Sequence, residues 1–453
     1  MPSIYDFATW APLARLLTVG ALEKLVVEGG FVVGAVSRSG SVHTSRLGNG
    51  SSAHRRAQWE AEQLVAAGLN EFGLDESGLD EFGLSRIAYC LQVSPAGDAV
   101  LDLFDYGSAV EDVTSPYPVS MVLRDGAVPQ PWRRLPSPAP DAGPAPSADP
   151  ARLERLLRQR LVDPVGVTDA QIAAAQARLG VSLPAELTAL YRVTSGSRGD
   201  QKYTDALGCE LLPIDELSIA DSRRRSSPWY YAAGEAARTP SDATVQGLPG
   251  SPGWIVFASD GGTARFAVDL TPGAAGHLGQ IIVLDDGRSI GGDLVADSLT
   301  AMIEHGSQDW RPARPDEWPA VARINANAFS SVDAAAHPEL EVLVIGRWDG
   351  EPLSLAAAVG LPRLRTLQAQ AGTLADPMQI ARISGLEYLA IGVHEWRVLL
   401  QAAAVPRGLS AAGIEIDGQE DPREVVALAN ELLALWNRPL VSRTTLSGNL
   451  QPN

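Results

Sequence analysis

The residues of this chain that could carry chemistry are six histidines, two cysteines and a few glycine- and serine-rich turns, and their spacing gathers none of them into a site. His43, His54, His277, His305, His337 and His394 stand apart, no two within four residues of each other, so no metal-ligand spacing is written into the sequence. Cys90 and Cys209 lack the Cys-x-x-Cys pairing of a zinc or redox motif and read as small buried hydrophobes. The turn Gly48 to Ser52 (Gly-Asn-Gly-Ser-Ser), ahead of Arg55 and Arg56, could cradle a phosphate at a helix N-terminus. It lacks the Lys-Ser/Thr ending and the length of a P-loop, and a flexible loop with a serine N-cap accounts for it better. Ser195 to Gly199 has the composition of a nucleophile turn, yet it follows a helical pattern and reads as a helix-ending loop. Asp285, Asp286 and Gly287 are a turn signal between strands. Glu71, Asp75, Glu76, Asp80 and Glu81 fall within near-copies of a short acidic Gly-Leu unit. Their five-residue beat misses the register of a calcium loop and reads as a tandem expansion in a solvated loop. Neither a catalytic constellation nor a cofactor or metal site follows from these residues.

Recognition chemistry is easier to find. Arg223, Arg224 and Arg225 precede Trp229, Tyr230 and Tyr231 in a long, weakly patterned excursion. Arg, Trp and Tyr are the types that dominate interface energetics. Two readings stand: anchors for a protein partner, or aromatics tucked under a sheet with the arginines neutralising local acid. The candidate partner-binding residues are Trp229, Tyr230, Tyr231 and Arg224, joined by Trp348 and Tyr388 from the repeats described below. A net charge of −18 over 453 residues disfavours nucleic acid and anionic membrane as partners and favours a basic protein, although an acidic surface also serves plain solubility. The N-terminal residues lack a basic stretch and an apolar core, so no signal peptide is expected. No apolar run approaches the roughly eighteen residues of a membrane helix. The expected location is cytoplasmic.

The elements that must position these residues are clearest in the middle of the chain. Thr168 with Gln171 forms a capping box, and Ile172, Ala175 and Leu179 share one helical face behind it. Gly180 suits a left-handed helix end, and Pro184 suits the first turn of a second helix whose buried stripe is Leu187, Leu190 and Tyr191. Later, Trp254 to Ala258 is a short β-rich apolar run, and Phe266 to Leu270 is a second strand ending in Asp269 and Leu270. This order, with the Leu179-Gly180 and Leu183-Pro184 joint, resembles the SUKH superfamily over roughly residues 152–308. That group contains bacterial immunity proteins and is related to a fungal regulator of cell-wall assembly, and its members are known as binders of other proteins. Ser195 stands where the family more often has Asn, and Gly262 to Ala264 departs from its usual Gly-acidic pair.

Residues 1–134 read as an α+β domain: a helix through Trp10, Leu13, Leu16 and Leu17, a strand from Gly30 to Val36, a helix from about His54 to Ala67, and a hairpin formed by Ile87 to Val93 and Ala99 to Phe104. Residues 135–150 are Pro/Ala-rich and predict a semi-rigid linker. Residues 151–308 form the SUKH-like domain and 309–337 a connecting segment. In 338–437 Leu340-x-x-Leu343-x-Ile345, Leu364-x-x-Leu367-x-Ala369 and Leu386-x-x-Leu389-x-Ile391 recur, with a degenerate fourth copy, Leu409-x-x-Ala412-x-Ile414, at spacings of 24, 22 and 23 residues. That period resembles leucine-rich repeats, each supplying a short parallel strand, with a closing helix from Val425 to Trp436. An ordinary α/β domain with coincidental leucine spacing is the alternative. In the repeat reading Val342, Val344, Thr366, Gln368, Gln370, Tyr388, Ala390 and Glu415 would face outward on a concave surface, with Trp348 and His394 just past their strands. Residues 438–453 are left as a tail.

The fold class expected is therefore α+β multidomain, with an N-terminal α+β domain, a central SUKH-like α+β domain and a short C-terminal α/β solenoid. The function implied by the resemblance is a non-catalytic protein-binding module, an immunity protein that neutralises a toxin, with a basic toxin domain as partner. A regulatory scaffold and a nucleotide-binding enzyme using the Gly48 to Ser52 turn are the alternatives.

Overall fold

A computed structural model describes residues 3–20, 30–37, 40–43, 52–69, 86–105, 107–111, 117–196, 201–223, 228–285, 289–306, 320–325 and 328–451. The first third holds helix α1 (Phe7–Gly20), strands β1 (Val32–Ser37) and β2 (Gly40–His43), helix α2 (Ser52–Leu69), strands β3 (Arg86–Val93), β4 (Asp98–Asp105), β5 (Val110–Glu111) and β6 (Met121–Leu123), and helix α3 (Gln130–Arg133). Next come α4 (Pro150–Arg160), α5 (Asp169–Leu179), α6 (Ala185–Val193), α7 (Gln201–Leu207), β7 (Glu210–Leu211), β8 (Ser218–Ile219) and α8 (Trp229–Ala233). The strands β9 (Trp254–Ser259), β10 (Ala264–Asp269), β11 (Gln280–Asp285) and β12 (Asp293–Ala296) lead to α9 (Leu299–His305). The last third holds β13 (Val321–Ile324), α10 (Val332–Ala335), β14 (Val342–Ile345), β15 (Thr366–Ala369), β16 (Tyr388–Gly392), α11 (Val393–Gln401), β17 (Ala411–Glu415), α12 (Pro422–Leu435) and β18 (Ser442–Asn449).

These elements fall into two compact units, one made of Met1–Ala127, Arg323–Pro338 and Leu343–Asn453, the other of Val128–Ala322 and Glu339–Val342. In the second unit the antiparallel sheet runs β12-β11-β10-β9-β7, with β8 also on β9. Alternate side chains serve opposite faces of this sheet. Ile255, Phe257, Val268, Ile281 and Val283 pack against Leu153, Leu157, Ile172, Leu187, Leu190 and Met302 of the helices. Trp254, Val256, Ala267, Ile282 and Leu284 pack on the other face against Ala220 and Leu248 of the excursion between β8 and β9. Burial of both faces is why Trp254 to Ala258 reads as an unbroken apolar run.

The helix signals of the middle segment are realised. The Thr168 side chain accepts from the Gln171 N–H while the Gln171 side chain accepts from the Thr168 N–H, and Gly180 ends α5 at φ 72°. Pro184 is the N-cap of α6 rather than a residue of its first turn. A larger difference concerns residues 135–150, expected to be a contact-poor spacer. Ser137 exchanges two hydrogen bonds of 2.8 Å with the Gln246 side chain. Gly143 O accepts from the Leu278 N–H (2.9 Å), Ala145 is buried, and Ser147 Oγ meets Ser298 Oγ at 2.9 Å. The prolines have no N–H to offer, but the residues between them do the bonding.

In the first unit, α1 and α2 cover the antiparallel sheet β18-β4-β3-β1-β2, with Trp10, Leu13, Leu17 and Val65 packed on Tyr89, Leu91, Leu101 and Leu103. A second sheet has the order β13-β14-β15-β16-β17-β6-β5. Its β15, β16 and β17 are parallel, and β6 pairs antiparallel with β17. Strands thus start at residues 342, 366, 388 and 411, with 3₁₀ turns at Ala356–Ala358 and Pro377–Arg382 between them. The sequence division set 338–437 and 438–453 apart from 1–134, whereas here β5 and β6 extend the repeat sheet and β18 extends the N-terminal one. The alternation also differs from expectation. Leu367, Leu389 and Ile391 are buried, but so are Val342, Thr366, Gln368, Tyr388 and Ala390, which were placed on an open concave face. Only Gln370 of that expected row is exposed, with Val344 and Glu415 half-buried.

Candidate functional site

Candidate chemistry in the second unit begins with Asp269 at the end of β10. One carboxylate oxygen accepts from Trp254 Nε1 (3.0 Å), the Thr271 N–H (2.7 Å) and Thr271 Oγ1 (3.2 Å), and the other from Gln280 Nε2 (2.9 Å). The residue is fully buried. Burial pushes its pKa up to about 6, with the bonds from Thr271, Gln280 and Trp254 pulling in the opposite direction. Every donor comes from a neighbouring strand or turn, so the group ties β9, β10 and β11 together and presents no oxygen to a substrate.

Glu186, in the first turn of α6, is a second buried carboxylate. It accepts from the N–H groups of Asp149 (3.2 Å), Leu299 (3.0 Å) and Thr300 (3.1 Å) and from the Thr300 hydroxyl. It therefore closes the N-terminus of α9 and the approach to α4, where free N–H groups need an acceptor. Arg178 near the end of α5 donates to the carbonyls of Leu217 (2.7 Å) and Ile214 (3.1 Å). Beside it lies an open cleft of about 620 Å³ lined by Gln171, Ala174, Arg178, Ser195, Gly196 and Asp215, among others. Gly196, at φ 131°, lets the chain pass the backbone of Pro213, which a Cβ would approach to 3.0 Å.

The sequence-predicted anchors separate. Trp229 is 5% exposed, whereas Tyr230 and Tyr231 are 43% and 48% exposed. The two tyrosine rings stack edge to face with centroids 5.4 Å apart. Trp229 is the buried foot of α8 and cannot be a surface anchor, while the two tyrosines are presented at the surface. Arg224 lies outside the described residues, and Arg223 is exposed. Trp348 is half-buried in a loop of the first unit, its indole N–H donating to Glu351 O at 2.9 Å, with Gly350 tucked beneath the ring. Tyr388 is a correction: at 1% exposure it cannot anchor a partner. Its hydroxyl lies where a side chain at Gly413 of β17 would stand, 2.6 Å from that ideal Cβ, so the missing side chain makes room for the tyrosine.

The remaining candidates do not converge. Gly48 to Ser51, the side chains of Ser52 and Arg55, the acidic copies from Glu71 to Leu84, Asp286 and Gly287 lie outside the described residues, as do the side chains of His43 and His54. His277 and His337 are half-buried, and His305 and His394 are exposed. Among the described residues no group of His, Cys, Asp and Glu is placed to hold a metal ion, and no helix is long and apolar enough to cross a membrane. Cys90 and Cys209 are buried, and burial raises both thiols to about 12. That far above neutrality neither is a thiolate.

Sequence reasoning missed a polar knot in the first unit. Asp102, 2% exposed, accepts from Arg423 Nε (2.6 Å) and Thr445 Oγ1 (2.5 Å), and Arg423 also reaches Gln92 Oε1 (2.8 Å). Its only signal was an aspartate in the middle of the apolar strand from Val100 to Phe104. The knot ties β3, β4 and β18 to α12.

Residues 166–305 match the SMI1 / KNR4 family (SUKH-1). The match runs from the residues just before α5 through α9, and so contains the α5–α6 pair, Glu186, the Trp254–Asp269 latch and the tyrosine pair. The chain is also 30% identical over 130 residues to the cell wall biosynthesis/cell cycle regulator smi1 of Schizosaccharomyces pombe. That similarity covers 26% of this chain and 26% of the yeast protein, so the chain spans about a quarter of its relative's length. The SUKH-1 domain is thus one part of a mixed α/β multidomain protein.

Proposed function

We propose that this chain is a non-catalytic, cytoplasmic protein-binding module whose SUKH-1 domain docks a basic protein partner, and that it acts as an immunity protein by occluding a toxin. The observation that carries the reading is the contrast within one short helix: Trp229 is buried as a foot, and Tyr230 and Tyr231 stand exposed beside it. Rigid aromatic side chains presented this way bury large area at low entropic cost when a partner closes over them. The buried carboxylates Asp269 and Glu186 support the same reading, because their oxygens are occupied by the fold's own donors. A net charge of −18 would steer a basic partner and speed its association. The repeat strands, which we read as leucine-rich-repeat-like, would serve as a supporting scaffold, since most of their expected outward row is buried.

A pull-down with the full chain identifies the partner. Its affinity for the Tyr230→Ala/Tyr231→Ala variant should fall by about 2 kcal/mol or more, with unchanged melting. Undiminished binding would move the site, with the cleft beside Arg178 as the next place to mutate. A second reading, a regulatory scaffold, is favoured by the similarity to a fungal cell-wall and cell-cycle regulator. A captured partner that is not toxic to cells when expressed alone would favour the scaffold.

A further inference from the structure

Among the described residues no strand pairs with the outer edge of β18. It is the last strand of the sheet β18-β4-β3-β1-β2 and pairs with β4 along its whole length, from Ser442 opposite Asp105 to Asn449 opposite Asp98, with no register shift. Backbone alternation fixes which groups are spent. The Leu450 N–H donates to Gly97 O (2.8 Å), so even-numbered residues of β18 turn their N–H and C=O toward β4. The hairpin bond from the Ser94 N–H to Asp98 O (2.8 Å) fixes the same phase from the other side of β4. The N–H and C=O groups of Arg443, Thr445, Ser447 and Asn449 therefore point away from β4, and all four residues are exposed. Long open edges are normally blunted by charged side chains, lysine above all, by proline or by a bulge. Ser442 to Asn449 contains no proline, lysine or bulge, and a single charged residue, Arg443.

We propose that this edge pairs antiparallel with β18 of a second copy of the chain, joining two five-stranded sheets across a two-fold axis. The side chains argue for that occupant. Arg443 is the only charged residue of the strand. Antiparallel pairing centred on Leu446 sets Arg443 opposite Asn449 and Thr445 opposite Ser447, so no like charges meet and the polar groups face polar groups. In that register the four outward residues fall into hydrogen-bonded pairs, using the free groups on both copies. Such a contact is isologous and closes after one pairing. Because each copy carries −18, dimerisation strengthens as salt rises, the opposite of the response expected for a basic partner.

Sedimentation equilibrium of the full chain over a concentration and salt series tests this. The expected result is a mass that climbs toward twice the monomer, more readily at high salt. Ser447→Pro and Arg443→Pro each remove an outward N–H without touching the ladder to β4, and should lower the association constant at least tenfold; Ser447→Pro should leave melting nearly unchanged, whereas Arg443→Pro also removes the guanidinium 3.9 Å from Asp102 and should lower it. Thr444→Pro removes a bond to β4 and should lower melting instead. Amide exchange on the wild-type chain gives an independent reading: Arg443, Thr445, Ser447 and Asn449 should become protected only as concentration rises. A chain that stays monomeric throughout, a dimer that persists in both outward-facing variants, or edge amides whose exchange ignores concentration overturns the proposal.

Discussion

Replacing Glu186 with Ala removes one side chain and leaves several buried donors without an acceptor. The N–H groups of Leu299 and Thr300, at 3.0 and 3.1 Å, belong to the first turn of α9, and that of Asp149, at 3.2 Å, precedes α4. An orphaned buried donor costs about 1–3 kcal/mol, with the lower figure applying where water can enter. Water can reach the part-buried Asp149 N–H more easily than the two on α9. The Thr300 hydroxyl can turn to the Asp149 carbonyl, which it already meets at 3.1 Å. The α9 donors dominate, and two of them at about 1–3 kcal/mol each put the loss at about 2–6 kcal/mol. Glu186→Gln keeps one acceptor oxygen but turns an NH₂ toward a donor, so an intermediate loss is expected. Urea unfolding followed by tryptophan fluorescence reads the effect, through Trp254 in the same unit. A Glu186→Ala variant within about 0.5 kcal/mol of wild type would refute the account of this carboxylate as the staple of α4, α6 and α9.

Asp269 makes stability depend on pH. Its folded pKa of about 6 lies above the unfolded value of 3.8, so the folded state holds the proton more tightly. Its contribution is fully present below the unfolded value and is lost as pH rises through the folded one, by about 3 kcal/mol for a shift of this size. Wild-type stability relative to Asp269→Asn should fall between pH 4 and 7, and parallel pH profiles would contradict this. Leu389→Ala, at a fully buried repeat position, should cost about 2–5 kcal/mol. Gln368→Ala should also cost more than an exposed substitution, since Gln368 is 8% exposed, and equal stability to wild type would contradict its burial. Limited proteolysis should spare residues 135–150, which are hydrogen-bonded to Gln246, Leu278 and Ser298. Early cleavage there would mean the segment is the free spacer its composition suggested.

What could be read from the sequence was local. The Thr168 capping box, the Gly180 helix end and the Leu187, Leu190 and Tyr191 stripe depend on residues within a few positions of each other, and each is found as expected. The hairpin of β3 and β4 and the spacing of the repeat strands were legible for the same reason. What escaped was long-range. Nothing near Gln246 marks it as the partner of Ser137, and nothing near Tyr388 marks Gly413 as the gap beside it. Nor does Ser442 to Asn449, a polar run in an assumed tail, announce that it pairs with β4 more than three hundred residues earlier. The aromatic run was half legible. Its composition nominated three anchors, but only the helical turn of α8 decides that Trp229 goes in while Tyr230 and Tyr231 go out.

The most direct test of the central claim is a titration of the captured partner's activity, toxic or otherwise, with the purified full chain. A binder that occludes its partner acts one to one. The account predicts that activity falls linearly and reaches its floor near an equimolar ratio, independent of incubation time, and that the Tyr230→Ala/Tyr231→Ala variant shifts the curve to higher concentration. Progressive loss of activity at a small fraction of one equivalent, deepening with time, would show turnover and contradict it.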